Sequence, residues 1–293
     1  MPAKKIHMPA PPLAPPLAFA ALVAANVAIA FGPLLVRYAD SGPIATGFWR
    51  LALAVPFLAA MGWRAGFRLS HAQPSILWLT AIAGLFFGID IIAWHIGIFQ
   101  TKLGNATLFA NSASLLLVVY GVFVARKLPG KWPLLAVALA FVGSALLMSQ
   151  SLELSHRNFA GDLLCLGAGL AYTVYLLIMM RVRDTTESWS SLALASFFAA
   201  VVLLPAAMIA GEQIVPNVWW PVLLLAFSSQ FFGQGCLTYA LPHFSPLVIG
   251  LALLLQPALS AAAGWVAFGE ILSPLDIFGG VMVMAALVLV RKQ

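Results

Sequence analysis

Apolar residues in this chain come in long unbroken runs, and the polar residues between them are few. Charges and Pro/Gly clusters cut the sequence into ten such runs, at 17–36, 44–61, 75–99, 104–125, 132–149, 161–180, 190–210, 218–241, 245–268 and 275–290. A helix crosses the hydrocarbon core of a bilayer in about 20 apolar residues. Barrel strands are shorter, about ten residues, and alternate in polarity. Neither feature describes these runs. The pattern therefore predicts an all-α membrane protein of ten transmembrane helices joined by short loops.

Composition narrows the function classes. The 293 residues are 62% hydrophobic and 8% charged, and mean hydropathy is +1.00. An ordinary soluble domain is about 25% charged, so a cytosolic enzyme, a nucleic-acid-binding module and a disordered protein are all excluded. The net charge of +6 has a topological explanation. With the N-terminus cytoplasmic, Lys4, Lys5, Arg64, Arg68, Arg126, Lys127, Lys131, Arg181, Arg183, Arg291 and Lys292 fall inside. Only Arg37, Lys102 and Arg157 fall outside, and Arg50 is left within a span. This bias predicts both termini in the cytoplasm of an inner-membrane protein. The basic residues are dispersed, so no nucleic-acid partner is expected. The segment 1–16, with five prolines behind Lys4 and Lys5, reads as an extended lead-in rather than a cleaved leader. Cys165 and Cys236 lie in apolar runs without CxxC or clustered His, so no metal site, disulfide or cofactor is expected.

The chain also repeats itself. The run AVALAFVGSALL (Ala136 to Leu147) resembles IFGGVMVMAAL (Ile277 to Leu287), and VYGVFVARKLPG resembles AGWVAFGEILSP. A displacement of about 144 residues superposes them and sets Asp90 on Gln234, His95 on Tyr239 and Ser112 on Gln256. Residues 17–150 and 158–293 thus read as two five-helix units of one membrane domain. Five is odd, so the second unit enters from the opposite face, the inverted-topology design of many transporters.

Phe31-Gly32-Pro33 and Gly47-Phe48-Trp49-Arg50 stand in the first half. Gly161-Asp162-Leu163-Leu164, Gln256-Pro257, Gly269-Glu270 and Gly279-Gly280 stand in the second. In this order and spacing they resemble the EamA-type branch of the drug/metabolite transporter superfamily, over nearly the whole chain and in two copies. The first half departs from the pattern: span four has no matching proline, and Arg126-Lys127 stands where an acidic residue would fall. The resemblance implies export of amino acids or other small metabolites, aromatic amino acids among them. Span one, Leu17 to Val36, has no carboxylate, so the mechanism of the four-span multidrug branch does not carry over.

Charge within a span costs at least about 2.5–3.5 kcal/mol at the bilayer centre, which makes Arg50 and Asp90 the most informative residues. Both lie about 9–14 Å inside the outer face at 1.5 Å per residue, so they are expected to share a polar cluster. That cluster reads either as a helix-locking ion pair or as a gate and substrate-carboxylate clamp. Asp90 with His95 is also the candidate for coupling to protons. Asn26, Asn111, Tyr120, Tyr172, Tyr175, Gln230, Gln234, Tyr239 and Gln256 have no partner in lipid and are expected to face inward, with Trp94 and His95, around a cavity between the halves. Gln230 and Gln234, four apart, should share a helix face. Pro257, beside Gln256, is the expected hinge.

These features favour a monomeric secondary exporter of small amphipathic solutes working by alternating access, with amino acids the leading substrates and aromatic ones the best single choice. Another metabolite or drug class is the alternative. An intramembrane enzyme lacks HExxH and a Ser–His pair at matching depth. A channel would line its pore with repeated rings rather than unlike polar residues.

Overall fold

The computed structural model describes residues 16–101, 106, 109–125, 130–149, 158–256, 258–259 and 273–291, and every regular element among them is helical. In chain order these are α1 (Pro16–Ala30), α2 (Gly32–Tyr38), α3 (Pro43–Arg64), α4 (Pro74–Gln100), α5 (Ser112–Ala125), α6 (Lys131–Ser149), α7 (Phe159–Arg183) and α8 (Ser188–Ile209). Then come α9 (Trp220–Leu224), a π-helical segment (Leu225–Gln234), α10 (Gly235–Ala240), α11 (Pro246–Leu253) and α12 (Pro274–Arg291). A helix thus falls in each of the ten apolar runs. By length and apolarity five described helices can cross a membrane: Pro16–Tyr38, Pro43–Arg64, Pro74–Gln100, Phe159–Arg183 and Ser188–Ile209. The eighth run misses that count because it is divided among α9, the π segment and α10, and α11 stops at Leu253.

Helix starts follow proline. Pro33, Pro43, Pro74, Pro221 and Pro246 occupy first-turn positions, where a missing N–H leaves no bond unmade. Gly66 and Gly211, with φ of 94° and 68°, turn the chain just past α3 and α8.

The halves pack helix against helix. α3 lies along α8, α4 along α7 and α8, α5 along α11, α6 along α12, and α1 along the π segment and α10. Gly62, near the end of α3, sits against Ser190 at the start of α8, and Gly47, near the start of α3, sits against Leu203. The pair is therefore antiparallel. α5 and α11 are antiparallel too, with Gly121 against Leu247 and Gly250 against Ser114. Lipid gives helices no hydrophobic reason to associate, so such close backbone approach through small residues supplies the attraction. At the α4–α7 crossing a Cβ on Gly161 would lie 2.7 Å from the backbone of Gln100. Thr101 Oγ1 donates to Asp162 Oδ1 at 2.6 Å and ties the same crossing.

On one face the loops of the two halves are stitched together. Glu212 accepts from Ile44 N at 3.2 Å and Ala45 N at 2.8 Å, capping α3 from 168 residues away. Gly42 N donates to Gln213 O at 3.1 Å, and Trp49 Nε1 donates to Ile214 O at 2.7 Å. Asp40 Oδ2 accepts from Asn217 N and Val218 N, both at 3.1 Å. The Glu212 carboxylate answers two orphan N–H groups and the positive end of the α3 dipole together. Glu212→Ala is expected to cost about 1–2 kcal/mol, the range of a lost helix cap, read as an earlier thermal unfolding transition of the detergent-solubilised protein. A control substitution at the exposed Gln213 leaves the transition in place.

Candidate functional site

Three breaks in regular helix converge on one place. The first run is interrupted at Phe31 between α1 and α2, because Pro33 has no N–H for the carbonyl of Ile29. The ninth is interrupted by a turn at Leu254 before helix resumes at Leu255 and Gln256. The eighth widens into the π segment. Irregular backbone at membrane depth is tolerated where it lines a cavity, and these three line one. Ile29, Ala30 and Pro33 come from the first break, Leu253 and Gln256 from the second, and Ser229 and Gln234 from the π segment. α3 adds Arg50, α4 adds Phe87, Asp90 and Trp94, and α7 adds Tyr172. Asn111 and Ser114 complete the polar wall. The cavity holds about 730 Å³ of empty space, counting the part open to the outside. At 1.5 Å per residue, Arg50 lies about 10 Å in from the start of α3, and Asp90 about 8 Å in from His95, which touches Pro43 at that start.

The π segment brings two polar groups to the cavity. In a helix hydrogen-bonded i to i+5 the wider turn carries residues five apart toward one face, where an α-helix would set them well apart. Ser229 and Gln234 are such a pair, and both line the wall. Gln230, expected beside Gln234 on α-helical spacing, turns away and its Nε2 donates to Ser196 Oγ at 2.9 Å. Gln234 Nε2 donates to Tyr172 Oη at 3.1 Å. On α4, Phe87, Asp90 and Trp94 follow ordinary i, i+3 and i+7 spacing and share a face.

Other expected cavity residues stand behind the wall or away from it. Asn26 is fully buried, and its Oδ1 accepts from Gln256 Nε2 at 3.3 Å while its Nδ2 donates to Leu22 O at 2.8 Å. It orients Gln256 instead of lining the cavity. Tyr175 stacks on Phe87 with centroids 4.4 Å apart and backs Tyr172. His95 is fully buried, with Nδ1 at 2.8 Å from the carbonyl of Pro43, so it fastens α4 to the start of α3. Five residues past Asp90 in an α-helix, it points off Asp90's face. Tyr120 is 41% exposed on the outside of α5: next to the aliphatic tail of α5, its ring packs outward. Tyr239 pairs with His243, centroids 5.5 Å apart, near the opposite end of its run. Pro257, the expected hinge, lies outside the described residues. Phe87, Ser114 and Ser229 carry no signal that singles them out in the sequence. Phe87 and Asp90 could have been grouped by helical spacing, but Ser229 needs the π turn.

Arg50 and Asp90 both face the cavity and act on one another electrostatically. Arg50 is 4% exposed. The expected helix-locking ion pair does not form: among the described residues no hydrogen bond or ion pair within 4.0 Å joins the two side chains. Arg50 Nε has no hydrogen-bond partner among the described residues. The same holds for Trp94 Nε1, Ser229 Oγ and Gln234 Oε1, all on cavity-lining residues. Four further such atoms among the described residues, His95 Nε2, Ser112 Oγ, Ser190 Oγ and Gln230 Oε1, lie on residues that do not line the cavity. Buried polar groups are rarely left unanswered, and half of those found here gather on one cavity wall, as a polar guest would need.

The chain matches the model of the "EamA-like transporter family" twice, over residues 16–149 and 159–292. It is 26% identical over 256 residues to the threonine/homoserine exporter RhtA of Escherichia coli (strain K12), covering 83% of this chain and 81% of that protein. It is 21% identical over 252 residues to the pseudopaline exporter CntI of Pseudomonas aeruginosa, covering 84% of each. A probable amino-acid metabolite efflux pump of Salmonella typhimurium is 22% identical over 201 residues, covering 64% of this chain and 67% of that one. A crystal structure of a protein 15% identical in sequence superposes with a TM-score of 0.77, covering 94% of this chain and 98% of that one, which establishes a shared fold.

The lining of the cavity makes an accessibility prediction. With Cys165 and Cys236 replaced by Ala, single cysteines at Ser229 and Gln234 should react with a small water-soluble thiol reagent, and one at Gln230 should not. Equal labelling at Gln230 and Gln234 would overturn the placement of Gln230 behind the wall against Ser196.

Proposed function

Since the chain belongs to the EamA-like transporter family, we propose that it is a multi-pass inner-membrane exporter of amino acids and closely related small metabolites. The observation that carries this reading is the cavity itself, which draws its walls from both halves and holds several unanswered buried polar groups. The names of the relatives, exporters of threonine and homoserine, of pseudopaline and of amino-acid metabolites, support the same substrate class.

Export proceeds by alternating access. Residues 17–150 and 158–293 act as two inverted repeats of a single membrane domain, both termini cytoplasmic, in a monomer. The antiparallel pairing of α3 with α8 and of α5 with α11 supports the inverted arrangement, because these helices hold corresponding places in the two halves. Rocking one half on the other would open and close the stitched face formed by residues 40–49 and 212–218. If uphill export is driven by protons, the proton would be carried by Asp90, the carboxylate on the cavity wall.

Two side-chain classes have support. Phe87, Trp94 and Tyr172 offer aromatic surface suited to an aromatic amino acid. Asn111, Ser114, Ser229, Gln234 and Gln256 suit a short hydroxylated one, and the threonine/homoserine exporters favour it by name. Counterflow of labelled amino acids into proteoliposomes separates the two. The expected outcome is saturable flux of at least one amino acid, and the absence of saturable flux across the whole amino-acid panel would overturn the proposal. A C-terminal fluorescent-protein fusion should be bright and an alkaline-phosphatase fusion inactive if that terminus is cytoplasmic.

A further inference from the structure

The most demanding feature of the cavity is a separated pair of opposite charges. A guanidinium at membrane depth must be answered by something. Arg50 has its counter-charge in the same cavity yet makes no direct contact with it among the described residues. A structural ion pair would close that gap, since two charges attract most strongly when in contact and dehydrated. Here the cavity lies where both groups are reached from one space. Beside them stand Trp94 Nε1, an unanswered donor, and Gln234 Oε1, an unanswered acceptor. Ile29 and Pro33 line the same wall, and the Ile29 carbonyl has lost its ordinary helical partner to Pro33.

We infer that Arg50 and Asp90 together form a zwitterion clamp: Arg50 receives the carboxylate and Asp90 the ammonium of one α-amino acid, and the cavity requires both groups on the same molecule. The reasoning is one of charge balance. With one positive and one negative wall group the empty site is neutral, so a free acid or a free amine would leave it with a net buried charge. A zwitterion answers both walls and adds none. Guanidinium matches a carboxylate through paired N–H donors, with Trp94 Nε1 placed on the same wall as a further donor. The ammonium has three donors to place, and the acceptors at hand are Asp90, Gln234 Oε1 and the Ile29 carbonyl. Tyr172, held by Gln234 at 3.1 Å, fixes the orientation of that amide.

This inference rests on the amino-acid exporter reading, and the experiment separates the two. Counterflow of labelled phenylalanine and labelled threonine is measured in proteoliposomes. Phenethylamine and phenyllactate compete with the first, isopropanolamine and dihydroxybutyrate with the second. Each competitor keeps the side chain and lacks one of the two charged groups. For whichever amino acid is carried, both its competitors should inhibit at least about tenfold more weakly than the unlabelled amino acid, the effect of losing one charge-assisted contact. Potent inhibition by either competitor would overturn the clamp while leaving amino-acid export standing. Absence of flux for both amino acids would remove the substrates that the clamp was inferred to hold and overturn it, while the exporter reading falls only with the whole amino-acid panel. Thermal stabilisation by the same compounds in detergent assigns the two charges. Arg50→Gln should erase the preference for amino acid over amine and keep that over the hydroxy acid, and Asp90→Asn should do the reverse. A folded Arg50→Gln protein that still rejects the amine as the wild type does would overturn the assignment. If either variant fails to fold, the wild-type competition decides alone.

Discussion

The hydrocarbon layer offers no hydrogen-bond partner, and the architecture follows from that one constraint. Backbone N–H and C=O groups must be answered within the chain, which makes every described element helical. Helix ends need answers as well, and Glu212 supplies them for α3 from the other half of the protein. Polar side chains are bonded back to the helix or across to a neighbour: Thr80 to Ile76 O, Thr173 to Gly169 O, Gln230 to Ser196. Against that background, half of the unanswered buried side-chain atoms among the described residues, those of Arg50, Trp94, Ser229 and Gln234, gather at one cavity.

The same constraint explains where the helices are irregular. A break in lipid would strand carbonyl and amide groups, so breaks collect where a polar space receives them. Phe31, Leu254 and the π segment belong to three different runs, yet all adjoin the cavity. Regular helix surrounds them. α4, α7 and α8 pack closely through Gly84, Gly88, Gly97 and Gly161 and give the wall a rigid backing. The glycine-packed crossings of α4 with α7 and α8 join the two halves, so any motion of one half on the other has to shift them as well as the hydrogen bonds that stitch residues 40–49 to 212–218.

The pattern of apolar runs was enough to read the helical membrane class, ten helix-forming segments and a two-part chain, because hydrocarbon burial acts on each segment locally and at a fixed length. The scarcity of charge likewise pointed to Arg50 and Asp90 without any knowledge of packing. The tertiary structure decided how those charges are used. Their separation across a shared cavity depends on how α3 and α4 cross, which no local rule encodes. It also sorted residues of equal polarity into different roles. Gln230 bonds Ser196 while Gln234 bonds Tyr172 on the cavity wall, and Asn26 stands behind Gln256 because of how α1 meets the ninth run. His95 is held by a carbonyl 52 residues away. Glu212, silent in the sequence, caps a helix in the other half. Local hydrophobicity chooses what is buried in the membrane; only the three-dimensional packing chooses which buried polar group is left free to meet a substrate.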